Sequence, residues 1–201
     1  MLHTSSSFKD AFKKEFGNKG VPAAVTTRWN SQLRQIKSKL ALDAKKLSDV
    51  CEAGGHKNLI INAREWGQLA ELAEILDPFL EATLLTEVER IATISHVLPS
   101  VLALRSHLSD VLKQHNLKFC APVAKALLAS LNTRFHGMLI RCKLDNSQGM
   151  LDVTDLNSLP FGSDIYFIAA FFDPQFRMNW IDKELTMNAN ERGNFRQEVR
   201  G

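Results

Sequence analysis

Arg28 and Trp29 stand side by side at the head of a basic stretch, and this pairing suggests the first chemistry of the chain. A guanidinium holds phosphate oxygens, and an indole stacks on an unpaired base for about 1–3 kcal/mol per base. Arg34, Lys37 and Lys39 follow closely and would extend a phosphate track. A second assignment competes for the tryptophan. Trp29, Leu33, Ile36 and Leu40 recur at helical spacing, which would place Trp29 in an apolar core.

Other chemistry finds no support in the motifs. The sequence has no Gly-rich phosphate loop, no G-x-S-x-G elbow, no C-x-x-C and no H-E-x-x-H. Cys51 and His56 flank the Gly54-Gly55 pair, but one thiol and one imidazole do not make a four-ligand zinc site. Two-metal chemistry needs acids converging from a rigid scaffold. Most acids here fall on polar helix faces; Asp173 follows an apolar run and reads as the turn starter of Asp-Pro. No catalytic residue, metal ligand, cofactor or small-molecule substrate is therefore assigned.

Charge is uneven along the 201 residues, although the net value is only +3. Up to residue 46, ten Lys or Arg face Asp10, Glu15 and Asp43, a local charge of +7. Residues 62–89 carry seven acids against Arg64, a local charge of −6. The basic front and the acidic middle would attract each other, or the front would face a polyanion, or both are solvated helix faces. Three scattered cysteines argue against a disulfide framework. No signal-peptide core or membrane-length apolar run is present, so a soluble intracellular protein is expected.

The elements that would position these residues are helices. Residues 62–83 give the most regular pattern, with Trp66, Leu69, Leu72, Ile75, Leu76 and Phe79 on one face. Asn62 and Glu65 have capping-box spacing, and Pro78 predicts a kink or break. Upstream, Ser7 would cap a helix bearing Phe8, Phe12 and Phe16 that Gly17 ends, docked on the body or on a partner. A single long helix is expected over 28–53, capped by Thr26 or Thr27 and stopped by Gly54-Gly55. After Thr83 a loop leads to a helix capped by Ser95, with Pro99 in its first turn.

A further helix is expected over 121–142, then a surface loop at 143–163. The run IYFIAAFF after Asp164 fits a buried helix or a strand equally well, because periodicity does not separate them. The result is an all-α, irregular bundle of five or six amphipathic helices. Its expected divisions are a basic helix and linker over 1–25, a helical domain over 26–182 and a polar tail over 183–201.

Five segments in order carry a resemblance: TTRWNSQL (26–33), REWGQLAELAEILDPFLEAT (64–83), TISHVLPSVLALRSHL (93–108), SLNTRF (130–135) and YFIAAFFDPQFRMNW (166–180). Together they resemble the distal part of hAT-superfamily transposases and the related zinc finger BED domain-containing proteins. The resemblance implies the helical insertion of an RNase H-like transposase fold, a nuclear location, and a base-stacking role for the tryptophan of the pair Arg28-Trp29. The chain reads DPQF where DPRF is commoner. The family's catalytic acids lie upstream of its threonine-arginine-tryptophan motif and in a C-terminal dimerisation segment. The resemblance therefore implies a truncated, catalytically inactive relative that binds DNA through Arg28 and Trp29, to which the basic stretch adds Arg34, Lys37 and Lys39 as phosphate contacts. The alternative is a helical scaffold that binds protein partners or itself, with no role at DNA or membranes.

Overall fold

A computed structural model describes residues 6–17, 20–22, 29–87, 93–114, 117–144, 156–177, 179–184 and 197. Among them it is all-helical, with nine α-helices and no strand. The chain divides into two compact units, Met1–Asp77 and Pro78–Gly201.

In the first unit, α1 (Ser6–Phe16) ends where Gly17 adopts φ +62° and donates its N–H to the Lys13 carbonyl at 2.8 Å. The side chain of Ser7, the expected cap, lies outside the described residues, as do Thr26 and Thr27. The helix packs on α3, with the Phe8 ring edge-on to His56 at 4.9 Å between centroids. Gly54 makes that approach possible, because a Cβ there would lie 2.7 Å from Cδ2 of Phe8. Lys46 and Glu15 add an ion pair at 2.6 Å.

The single helix expected over 28–53 is two helices, α2 (Trp29–Leu40) and α3 (Ala44–Ala53). Asp43 causes the break. Its backbone is extended (φ −68°, ψ 119°), and its carboxylate accepts the Lys46 N–H at 2.9 Å, starting a new helix. Leu42, just before the break, is buried, as are Leu33, Val50 and Cys51. A 3-10 turn at Lys57–Leu59 leads to α4 (Ala63–Thr86).

The capping box of α4 is present as its spacing predicts. Glu65 N–H donates to Asn62 Oδ1 and Asn62 N–H donates to Glu65 Oε2, both at 2.9 Å. The helix stays continuous across Pro78, the first residue of the second unit, and does not break there. It also runs to Thr86 where a loop is expected. The Thr83 and Thr86 hydroxyls return to the carbonyls of Phe79 and Ala82 at 2.8 and 3.0 Å. Of the expected face only Ile75 is fully buried; Ala73 and Leu80 join it, and Trp66, Leu69, Leu72, Leu76 and Phe79 are half-buried.

The second unit is built on α5 (Ile94–Lys113), packed chiefly against α8 (Ile165–Phe172) and α6 (Ala121–Arg134). The helix begins one residue before Ser95, which is therefore not the cap but a buried first-turn residue. Pro99 consequently lies in the second turn, where it leaves the Ser95 carbonyl without its usual helical donor. Leu98, Val101, Leu102, Leu108 and Val111 form the buried stripe, while Val97 and Leu104 pack at its edge. Each fully buried leucine contributes about 1.5–3 kcal/mol of transfer free energy.

The helix expected over 121–142 breaks at Phe135 (φ −104°, ψ 25°) into α6 and α7 (His136–Arg141). Gly137 sets the reason. A Cβ there would come within 2.8 Å of Gly162 Cα and of the Leu159 side chain, so α7 lies directly on the 156–162 segment. That part of the expected loop is ordered by a 3-10 turn at Leu156–Ser158, and residues 145–155 lie outside the described residues. Arg141 fastens the segment through the Gly162 carbonyl, Asn157 Oδ1 at 3.0 Å and Asp164 Oδ1 at 2.5 Å. α9 (Asn179–Glu184) brings Trp180 and Ile181 into the core with Leu98, Met138 and Phe167. Most of the expected tail lies outside the described residues.

Candidate nucleic-acid interface

Helix α2 carries four of the five expected contact residues, and Arg28 lies outside the described residues. The sequence WNSQLRQIKSKL contains no acid, and Ser, Gln and Lys occupy the positions around the apolar stripe. Leu33, on that stripe, is buried at 1% exposure, whereas Trp29, one turn earlier, stays 40% exposed. The indole thus presents surface to solvent and is not in the apolar core that its spacing suggests.

The basic residues do not share one face. Arg34 and Lys37 are three apart and lie on the same flank. Lys37 and Lys39 are two apart, which separates them by about 160° around the axis. Arg34 is exposed and forms no ion pair among the described residues. Lys37 is engaged with Asp77 Oδ1 at 2.6 Å. Lys39 lines a cleft of the first unit on the opposite flank. Attraction between the basic front and the acidic middle is therefore visible at one pair, and Asp77 is a residue that charge patterning foreshadows without singling out.

Asp173 occupies a different setting. Its carboxylate accepts the hydroxyl of buried Ser95 and the Gln175 N–H, the latter at 2.9 Å, and these bonds hold its carboxyl below the usual carboxylate range. The His96 ring lies edge-on to Phe176 at 5.0 Å. The segments TISHVLP and FDPQF are thus locked together, a relation that periodicity does not reveal. This arrangement makes a turn fastened to the first turn of α5. No other acid, thiol or imidazole joins it as a metal set, and no such group of three occurs among the described residues.

Cys51 and Cys142 lie in settings that disfavour the thiolate. Burial pushes the Cys51 thiol up and the Cys142 thiol up to about 12, so Cys142 stays protonated at neutral pH. No helix among the described residues is long and apolar enough to cross a membrane. Comparison with known proteins gave no matching family model, no matching curated protein and no matching solved structure.

Proposed function

We propose that this chain is a nuclear, nucleic-acid-binding module of hAT transposase type that performs no catalysis of its own. The observation that carries the reading is the partly exposed Trp29 at the head of the acid-free helix α2, one and a half turns from exposed Arg34. Phosphates engage Arg34 and, on the same flank, Lys37 in exchange for Asp77. Trp29 stacks on a base that a hairpin or distorted end leaves unpaired.

Anisotropy of labelled hairpin-ended and blunt duplex DNA across a salt series tests this. With Arg34 and Lys37 engaged, log K falls against log salt with a slope of about −2. Trp29→Ala removes the preference for hairpin ends while the salt slope persists. Binding that ignores salt, or a hairpin preference intact in Trp29→Ala, rejects the reading.

A second reading, a helical scaffold, has one observation in its favour. Ile165, Ile168 and Phe172 of α8 lie on one side of the helix with exposures of 51%, 53% and 74%. Association of the protein with itself at micromolar concentration, unaffected by Trp29→Ala, would favour that reading.

A further inference from the structure

The first unit contains a cleft of about 980 Å³ between α1, α2, α3 and the start of α4. Its walls are mostly apolar, with Phe8, Phe12, Leu47, Ile60, Leu69 and Cys51 among them, and Gln35, Asn58 and Gln68 add neutral polar groups. Burial keeps that thiol protonated, so it behaves as another small apolar wall. The size is at the upper end of small-molecule sites, which run to about 1,000 Å³.

The charged groups at the cleft are asymmetric. Lys9 and Lys39 are its cations, and neither forms an ion pair among the described residues. Glu65 is its acid, and that carboxylate is already occupied by the Asn62 N–H at 2.9 Å as half of the capping box. An occupant therefore meets a largely apolar trough with two ammonium groups and one carboxylate, one oxygen of which holds a backbone N–H, a formal net charge of +1. A tail without a charge would leave the ammonium groups idle, and a cationic head would face like charge.

We propose that this cleft binds a long-chain fatty carboxylate, with its tail along Phe8, Phe12 and Leu69 and its head group on Lys39 and Lys9. The proposal is independent of the nucleic-acid reading, since Trp29, Arg34 and Lys37 are not part of the cleft.

Calorimetric titration of the full chain with dodecanoate, below its micelle concentration, tests the assignment. One saturable site is expected, with affinity falling about fourfold for each methylene removed on going to decanoate. Dodecyltrimethylammonium, with the same tail and a positive head, should not bind. Lys39→Glu should weaken dodecanoate by about tenfold. Lys9→Glu serves as the second charge variant if circular dichroism shows that the first is unfolded. Leu69→Trp should fill the trough and abolish binding in protein that is still helical. Trp29→Ala should bind dodecanoate as the parent does. Absence of a saturable site, equal uptake of the cationic amphiphile, or full affinity in both charge variants would overturn the proposal.

Discussion

Asp173 shows how much one carboxylate can organise. Because its folded value is depressed by the Ser95 hydroxyl and then by the Gln175 N–H, the stabilisation it provides is present above the ordinary aspartate value of about 3.9 and is lost as pH falls through the lower folded value. Asp173→Asn should therefore flatten the acid limb of a stability-versus-pH curve and leave its alkaline limb alone. Urea unfolding at closely spaced pH values reads both limbs. Gly162 is a steric case. A Cβ there would sit 2.0 Å from the Leu156 carbonyl oxygen, a backbone atom that cannot rotate away. Gly162→Ala should cost about 3 kcal/mol, seen as a lower urea midpoint. Neither effect was legible in the sequence. Asp-Pro announced a turn but not the distant serine that fastens it, and an isolated glycine does not say which backbone it must admit.

Helices are where local chemistry and tertiary packing compete. The Asn62–Glu65 box was legible because both partners lie within one turn. The Asp43 cap was overlooked because apolar spacing continues through it, from Leu40 to Leu47, and a stripe gives no sign that the backbone has turned. The same masking hid the break at Phe135, beside which Gly137 lies against Gly162 from a later part of the chain. The apolar run after Asp164 is helical, yet only Phe167 and Ala170 of α8 are buried, so apolar composition overstated its burial. Phe172, the most exposed large apolar residue among the described residues, makes a direct test. Phe172→Lys should change stability by no more than about 0.5 kcal/mol, since little of the ring is withdrawn from water. Thermal unfolding and light scattering together check that and any loss of self-association.

At the scale of the whole molecule the all-helical class was legible, because amphipathic spacing recurs through the chain and no strand alternation competes. The candidate interface was only partly legible. Spacing placed Trp29 on the same stripe as Leu33, and only the fold shows that one is exposed and the other sealed. The cleft with Lys9 and Lys39 could not be read at all, because its walls come from four separate elements. A core truncation separates the contributions of the two units. Leu102→Ala, in the second, should cost about 2–5 kcal/mol there. If the two units unfold separately, near-ultraviolet dichroism of Trp180 should follow the loss while the signal of Trp29 and Trp66 lags.

Three buried cysteines without a disulfide give the chain a set of internal clocks. Cys51 belongs to the first unit, and Cys120 and Cys142 belong to the second. A thiol held near 12 reacts negligibly with iodoacetamide until water reaches it. The alkylation of each sulfur, read by mass spectrometry in a pulse, then tracks how often its own surroundings open. Each unit can be followed in the unlabelled, unmutated protein.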